Sequence, residues 1–275
     1  MTINCKGYLL DLSAPKVMGV LNLTPDSFYD GGKFKTNKEA LEQVEKNIQD
    51  GMDILDIGAY SSRPGADDIS EEEEVRRQAS VLQQVTKEFP ELIISIDTFR
   101  SQVAKESLDQ GAHIINDISA GKLDDKMLDL VASYQVPYIM MHMRGTPQTM
   151  KELTDYDNLV KEVVFYFSER ISEARKKGIN DLIIDPGFGF AKNTPQNFEL
   201  LNHLKALKNL ALPILTGVSR KSMIYKSLSI DAQNALNGTT ALNMAALMNG
   251  SSILRVHDVL EAKQCVTLHQ KLTEH

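Results

Sequence analysis

The sequence predicts an α/β chain folded as a (β/α)8 barrel with a short N-terminal β-hairpin. Eight short apolar runs alternate with longer helical patterns, each run is apolar enough to be buried on both faces, and polar residues follow the runs at regular intervals. An open doubly wound sheet would give the same alternation and is the alternative fold. No linker, low-complexity tract or repeat interrupts the 275 residues, so we expect one domain over residues 1–275.

The elements follow one another in a simple order. The alternation in residues 3–12 predicts a hairpin that closes the floor of the barrel. Eight strands are then predicted at Val17 to Leu21, Ile54 to Ile57, Leu92 to Ile96, Ile114 to Ile118, Tyr138 to Met141, Leu182 to Ile184, Pro213 to Leu215 and Ile253 to Val256.

Helix signals lie between these runs. Thr36 with Glu39 and Ser70 with Glu73 both fit a capping box, and Asp157 precedes an amphipathic run. Glycines that favour a left-handed conformation follow three helical patterns, at Gly51, Gly111 and Gly178. The acidic run at residues 71–74 is interpreted as a favourable interaction with the helix dipole rather than as a metal site.

Composition excludes several classes of function. A formal net charge of −7 argues against a general nucleic-acid binder, which normally carries a basic face. We find neither a signal-peptide pattern nor a run of eighteen apolar residues, so we expect a cytoplasmic protein that does not bind membranes. Cys5 and Cys265 lie in unrelated contexts, which predicts neither a disulfide framework nor a zinc site.

Polar residues stand where the predicted strands end, and a barrel would gather them into one site. They are Asn22, Asp56, Arg63, Asp97, Asn116, Asp117, His142, Arg144, Asp185, Ser219 to Ser222, Arg255 and His257. Asp and Asn often end strands by capping the next helix, and we prefer that interpretation for Asp56, Asp117 and Asp258. We interpret His142 as a packed histidine rather than a ligand.

The segment RVHD places a cation and an imidazole side by side. Arg255 and His257 are two residues apart, so strand alternation points both side chains the same way. Loops after the seventh and eighth strands of such barrels often bind phosphate. Arg220 and Lys221 lie in the loop after the seventh predicted strand. We therefore predict that Arg255 and His257 bind a phosphate or pyrophosphate.

The segment DPGFGFAKN, residues 185–193, predicts a site for a flat ligand. Gly187 and Gly189 permit a tight turn that brings Phe188 or Phe190 over a planar ring. A carboxylate such as Asp185 accepts two parallel donors well, which favours a heterocycle with an amino-amidine edge.

Eight motifs carry a family resemblance over residues 18–259: MGVLNLTPDSFYDGG, SSRPG, SIDT, NDISAG, MHMRGTP, DPGFGF, SRKS and RVHDV. In this order they resemble the dihydropteroate synthase family of folate biosynthesis. The resemblance implies a (β/α)8 barrel, usually a homodimer, that uses Mg²⁺. It also implies that 7,8-dihydropterin-6-ylmethyl diphosphate and 4-aminobenzoate are joined to give 7,8-dihydropteroate and pyrophosphate, and that sulfonamides compete with 4-aminobenzoate.

The resemblance also implies roles for single residues. The pterin would be bound by Asp97, Asn116, Asp185 and Lys221, and the diphosphate by Ser62, Arg63, Arg255 and His257. The aminobenzoate would contact Phe190, Lys221 and Ser222. Phe28 and residues 61–64, including Pro64, would close over the site, and Asn22 would hold the metal. The catalytic residues would be Asp97, Asp185, Lys221, Arg255 and His257.

The second loop departs from the family pattern. Ala59 and Tyr60 stand where the family usually has a glycine and a Glu or Gln, and Ser62 often is a threonine in the family. Three alternatives stay open: a pterin-dependent methyltransferase module, a catalytically silent pterin-binding paralogue, at which Tyr60 hints, and a phosphosugar aldolase-type barrel with Lys221 as a Schiff-base lysine.

Overall fold

The computed structural model describes residues 1–23, 37–60 and 69–274. The strands in these residues are β1 (Thr2–Cys5), β2 (Tyr8–Asp11), β3 (Lys16–Asn22), β4 (Ile54–Gly58), β5 (Ile93–Asp97), β6 (Ile114–Asp117), β7 (Tyr138–Met141), β8 (Leu182–Asp185), β9 (Leu215–Thr216) and β10 (Ile253–Val256). The helices are α1 (Asn37–Gln49), α2 (Glu71–Glu88), α3 (Ser101–Asp109), α4 (Met127–Tyr134), α5 (Leu159–Lys176), α6 (Thr194–Asn202), α7 (Ser222–Leu228), α8 (Leu236–Met248) and α9 (Val259–Thr273). Short 3₁₀ helices form at Met150–Glu152 and Leu204–Leu210.

The eight-stranded sheet is a closed barrel, which confirms the predicted fold. Its parallel strands are ordered β8-β7-β6-β5-β4-β3-β10-β9. A parallel bridge between Ile184 and Ile214 joins β8 to the segment that leads into β9, where the amide of Ile184 donates to the carbonyl of Pro213 at 3.0 Å. This bridge connects the two ends of the sheet and excludes the open doubly wound alternative.

All eight predicted strands are present, with bounds that differ by at most two residues. The largest shift is at the start of β9, which spans only Leu215–Thr216. Pro213 has no amide hydrogen to donate to a ladder, so regular pairing begins after it.

The N-terminal hairpin closes the floor of the barrel, as predicted. β1 and β2 pair antiparallel with Ile3 opposite Leu10. The buried side chains of the hairpin pack against the first inward residue of most barrel strands, in a cluster formed by Ile3, Cys5, Leu10, Leu12, Met18, Ile54, Ile114, Ile139, Ile183, Leu215 and Ile253. A larger cluster fills the space between the strands and the surrounding helices. The mouth at the opposite end is thereby left for polar side chains.

The helix starts agree with the sequence in part. Ser70 caps α2, because its hydroxyl accepts from the amide of Glu73 at 3.2 Å, whereas the Glu73 carboxylate bonds to arginines one turn further on. Asp157 is not the cap of α5: Asn158 accepts from the amide of Lys161 at 2.9 Å. Of the other capping box, Thr36 lies outside the described residues.

The three glycines at helix ends have the predicted left-handed conformation, with φ of +95° at Gly51, +103° at Gly111 and +90° at Gly178. All four glutamates of the acidic run lie in the first turn of α2, as the dipole interpretation requires, and Glu74 also has partners of its own. Its side chain is fully buried and accepts from the Thr98 hydroxyl at 2.7 Å and from Arg100 at 2.8 Å. Within the described residues, no helix has the length and apolar content needed to cross a bilayer.

Candidate active site

The carboxyl ends of the barrel strands bring together most of the predicted polar residues that the structure describes. Because the eight strands are parallel, their carboxyl ends lie on one rim. Asp56 lies in β4, Asp97 ends β5, Asn116 lies in β6, Asp185 ends β8 and Arg255 lies in β10. Alternation points most of them inward, since each stands two residues after a side chain of the floor cluster or, for Asp97, four residues after Ile93, which packs against it.

Arg255 joins two carboxylates at the centre of the mouth. Its Nε donates to Asp56 Oδ2 at 2.7 Å, and its Nη2 donates to Asp97 Oδ2 at 2.6 Å. The amide of Asn116 also donates to Asp56 Oδ2, at 3.1 Å. The prediction that Asp56 caps a helix is therefore wrong. Sequence reasoning missed it, although its position two residues after Ile54 puts it on the inward face of β4.

Burial and the close approach of two carboxylates to the Arg255 guanidinium shift the pKa values of Asp97 and Arg255. Burial, with the neighbouring carboxylates of Asp56 and Glu74 adding to it, outweighs the attraction of Arg255 and raises the pKa of Asp97 to about 7. Attraction to Asp56 and Asp97 raises the pKa of Arg255 despite its burial. Asp56 Oδ1 is buried without a hydrogen-bond partner among the described residues. The mouth thus holds hydrogen-bond acceptors suited to a ligand with several N–H donors.

Lys221 lies beside this cluster, just before α7. Its ammonium donates to the carbonyl of Phe188 at 2.6 Å and lies 5.2 Å from the centre of the Phe190 ring. Burial lowers the pKa of Lys221 to about 8, although Asp185 opposes that shift. The ammonium lies 3.7 Å from where a Cβ of Gly217 would be, so a glycine leaves room for it.

The segment at residues 185–190 forms the predicted tight turn. The amide of Gly187 donates to Asp185 Oδ1 at 2.8 Å. Gly187 has φ of +70°, and a Cβ there would lie 2.1 Å from the carbonyl oxygen of His142, so no other residue fits. Phe188 is fully buried in the main core, whereas Phe190 packs beside methionines at the mouth. Of the two aromatic residues, Phe190 is the one placed to contact a ligand.

His257 and Arg220 have different surroundings. His257 Nδ1 lies 3.0 Å from the Ser219 hydroxyl, which also accepts from the backbone amide of His257 at 3.2 Å. Arg220 is buried in a two-pronged ion pair with Asp258, at 2.8 and 2.7 Å, and also donates to the carbonyl of Ala232 at 3.0 Å. The prediction that Asp258 caps α9 is wrong, since its side chain makes no cap hydrogen bond.

Asp117 and His142 have local structural roles. The Asp117 carboxylate accepts from the amide and hydroxyl of Ser119, from the amide of Gly121 and from the Tyr138 hydroxyl, so it organises a turn rather than a helix start. His142 is buried with its ring edge-on to Tyr166 at 4.8 Å, which confirms it as a packed histidine.

Tyr60, one of the two unusual residues after β4, contacts the loop that follows β5. Ala59 is fully buried, and the Tyr60 ring lies edge-on to Phe99 at 5.0 Å. The Arg100 guanidinium also lies 5.0 Å from the Tyr60 ring, and Gln148 donates to the Tyr60 hydroxyl at 3.3 Å. The predicted site residues Phe28, Ser62, Arg63 and Pro64 lie outside the described residues, as does the loop segment at residues 61–64. Ser222, which begins α7, is half-buried.

Two side-chain oxygens at the mouth are of the kind that Mg²⁺ binds. Asn22 Oδ1 and Asp97 Oδ2 each lie 3.7 Å from the position of a Gly58 Cβ, so both oxygens border this glycine. Oxygen ligands suit Mg²⁺, which usually takes one or two from protein and the rest from phosphate and water. The described part of the chain contains no group of three or more His, Cys, Asp or Glu that could hold a metal by itself.

Comparison with known proteins shows the family to which the chain belongs. The profile of a family described as pterin binding enzymes matches residues 18–257. The chain belongs to this family. It is 42% identical to the dihydropteroate synthase of Escherichia coli K12 over 268 residues, which cover 97% of this chain and 94% of that protein.

Solved dihydropteroate synthases share the whole fold. The Yersinia pestis enzyme, solved with a sulfonamide drug complex, has a TM-score of 0.96 and 38% identity, and each chain covers 100% of the other. The Xanthomonas albilineans enzyme with 4-aminobenzoic acid has a TM-score of 0.92 and 38% identity, covering 100% of this chain and 98% of that one. Among pterin-binding enzymes the chain is thus of the dihydropteroate synthase type, a transferase, and the methyltransferase and silent-paralogue readings are not favoured.

Proposed function

We propose that the polar mouth of the barrel carries out the dihydropteroate synthase reaction. In it, 7,8-dihydropterin-6-ylmethyl diphosphate and 4-aminobenzoate give 7,8-dihydropteroate and pyrophosphate. The observation that supports this most is the cluster in which Arg255 joins Asp56 and Asp97 beside Asn116. The carboxylates and the Asn116 amide can bind the heterocycle of the pterin. The Arg255 guanidinium, within hydrogen-bonding distance of both carboxylates, can bind the diphosphate.

The pterin would bind to Asp97, Asn116, Asp185 and Lys221. Asp97 and Asp185 accept hydrogen bonds from its N–H groups, and Asn116 can both donate and accept. When the C–O bond to the diphosphate breaks, the electron-rich ring delocalises the positive charge on the methylene carbon. The two carboxylates then stabilise that charge, and no protein nucleophile is required.

Departure of the diphosphate is assisted by Arg255 and His257, with Ser62 and Arg63 as further donors. A donor aimed at developing negative charge in a site without water typically lowers the free energy of the transition state by about 3–4 kcal/mol. His257 is oriented for this by its pairing with the Ser219 hydroxyl at 3.0 Å. Bound magnesium, for which we propose Asn22 as a ligand, would supply Lewis-acid stabilisation of the leaving group.

The arylamine attacks the methylene carbon in its neutral form, so a strong general base is unnecessary. Phe190 forms an apolar wall for the benzoate ring, and Lys221 and Ser222 provide donors for its carboxylate. The Xanthomonas albilineans enzyme solved with 4-aminobenzoic acid supports this choice of second substrate.

We further propose a cytoplasmic homodimer. Exposed leucines four or eight residues apart form an apolar stripe along α9, at Leu260, Leu268 and Leu272, with 44%, 59% and 65% of their surfaces exposed. Sedimentation of wild type and of a Leu268→Glu/Leu272→Glu variant tests this: a shift from dimer to monomer supports α9 as the interface, and an unchanged dimer excludes it.

Pyrophosphate release tests the function directly. Purified protein is given Mg²⁺ and dihydropterin diphosphate, with and without 4-aminobenzoate, and the pterin product is identified. We expect release that depends on 4-aminobenzoate, yields 7,8-dihydropteroate and is inhibited by a sulfonamide in competition with 4-aminobenzoate. Tight pterin binding without turnover would overturn the proposal and favour a silent paralogue.

A further inference from the structure

We infer that Lys192 is a positioning residue for the arylamine pocket. By bonding simultaneously to the carbonyls of Gly187 and Phe190, it fixes the turn that carries the Phe190 ring. The inference rests on the proposed function, because it concerns the binding of the second substrate of that reaction.

Lys192 is buried and makes three hydrogen bonds. Its Nζ donates to the carbonyl of Gly187 at 3.1 Å and to the carbonyl of Phe190 at 3.0 Å, and it lies 2.9 Å from His142 Nδ1. Only 7% of its surface is exposed. Burial lowers the pKa of Lys192 to about 7, although Asp185 opposes that shift, and the three contacts use the whole hydrogen-bonding capacity of the amino group.

His142 completes this arrangement as a neutral imidazole. Burial, together with the charges of Lys192 and Arg144, lowers the pKa of His142 well below its usual value. A neutral imidazole has one ring nitrogen that accepts and one that donates, so Nδ1 can form the hydrogen bond with the Lys192 amino group. The ring is fixed by its edge-on packing against Tyr166, so His142 anchors Lys192 to the end of β7.

The turn has little regular hydrogen bonding of its own and depends on side chains. Lys221 donates to the carbonyl of Phe188 at 2.6 Å, and the Tyr156 hydroxyl donates to the carbonyl of Ala191 at 2.9 Å. Lys192 differs from these two because it contacts both Gly187 and Phe190, the two ends of the backbone bond at 3.1 Å that closes the turn. Without Lys192, the buried carbonyl of Gly187 keeps, among the described residues, only the Phe190 amide as a donor and the half-buried carbonyl of Phe190 loses this donor, which is unfavourable.

The loss should affect the two substrates unequally. Asp185, which we assign to the pterin, ends β8, so its backbone is held by the barrel and the turn reaches its side chain only through the amide of Gly187, at 2.8 Å. Phe190, which we assign to the arylamine, lies in the turn itself, and its backbone carbonyl accepts a hydrogen bond from Lys192. Lys192 therefore acts mainly on the position of Phe190.

The experiment compares Lys192→Met with a matched control, Tyr156→Phe. Both variants remove a side-chain donor from the same segment, but Tyr156 bonds outside the Gly187–Phe190 turn. We expect Lys192→Met to raise the KM for 4-aminobenzoate ~10-fold or more and to change the Kd of the pterin substrate, measured by calorimetry, less than ~3-fold. Tyr156→Phe should change the KM less than ~3-fold.

Equal KM values in the two variants, or a KM for Lys192→Met near that of wild type with only a lower Tm, would overturn the inference and leave Lys192 a stabilising residue. If Lys192→Met does not fold, Lys192→Gln takes its place. It keeps one donor for a carbonyl, and an elevated KM is again expected. Absence of 4-aminobenzoate-dependent turnover in wild type would instead count against the proposed function, so the two failures are distinguishable.

Discussion

Arg255 illustrates how single residues combine stability with chemistry in this protein. Its side chain is the cation that the fully buried Asp56 contacts, and it also contacts Asp97. Removing one partner of a buried ion pair leaves a charge without compensation, which typically costs about 3–5 kcal/mol. Mutation of this residue thus changes both the free energy of unfolding and the binding of the diphosphate.

We expect Arg255→Met to lower kcat/KM by ~100-fold or more, because a donor to the leaving group is lost. The same change should lower the free energy of unfolding by ~3 kcal/mol. In the double variant Arg255→Met/Asp56→Asn the buried charge is gone, so much of the stability should return while kcat/KM stays low. Urea unfolding and steady-state kinetics measure both. Near-normal kcat/KM in Arg255→Met would remove this residue from the diphosphate role.

The raised pKa of Asp97 predicts that the free energy of unfolding depends on pH. Its folded pKa of about 7 lies above its ordinary value of 3.8, so the folded state binds the proton more tightly. The contribution of Asp97 to the free energy of unfolding is therefore largest below about pH 4, falls as the pH rises from about 4 to about 7 and is constant above that. In Asp97→Asn this fall is absent. Tm of the variant minus Tm of wild type should rise between pH 4 and 7, and a difference independent of pH would contradict the assignment.

At the scale of elements, the turn after β8 is determined by its glycines and by donors from other elements. Gly187 approaches the backbone after β7 so closely that a side chain has no room. Gly178 after α5 also has positive φ, but nothing lies within 4 Å of its Cβ position. The two positions therefore separate steric exclusion from conformational preference.

Alanine at these positions tests that separation. Gly178→Ala should cost ~1 kcal/mol, the cost of a left-handed non-glycine residue. Gly187→Ala must also displace the His142 carbonyl, and we expect it to cost at least ~2 kcal/mol more and to abolish turnover because Phe190 moves. Chemical denaturation and product formation are the measurements. Similar stability losses in the two variants would mean that the turn tolerates a side chain.

At the scale of the whole molecule, the barrel separates stability at its floor from chemistry at its mouth. The hairpin side chains close the floor, whereas the charged residues lie at the carboxyl ends of the strands. Neighbouring leucines of β2 offer a matched test, since Leu10 is buried in the floor with 5% of its surface exposed and Leu9 is 72% exposed.

We expect Leu10→Ala to lower the free energy of unfolding by ~2–5 kcal/mol through the cavity it leaves. Leu9→Ala should change it by less than ~0.5 kcal/mol. Both variants should keep kcat/KM near wild type at a temperature where they are folded. A large loss of kcat/KM in folded Leu10→Ala would show that the floor and the mouth are coupled.

Much of the fold was predictable because it rests on local patterns. Each barrel strand is a short apolar run, and the polar residue at its end follows from an alternation of period two. Partners were not predictable in this way. Asp157 and Asn158 both suit a helix start, and only the geometry at the start of α5 selects Asn158. Glu74 lies in the acidic first turn of α2, as its position in the run predicts, but the run does not show that its side chain is buried against Thr98.

The sequence by itself determined the eight strands, the floor hairpin, the family motifs and the side of each strand on which a residue lies. The tertiary structure decided the closure of the barrel between Ile184 and Ile214. It also decided the pairing of Arg255 with Asp56 and Asp97, which are 199 and 158 residues away along the chain. The physical reason is that periodicity fixes the direction of a side chain, whereas its partner depends on which distant strands become neighbours.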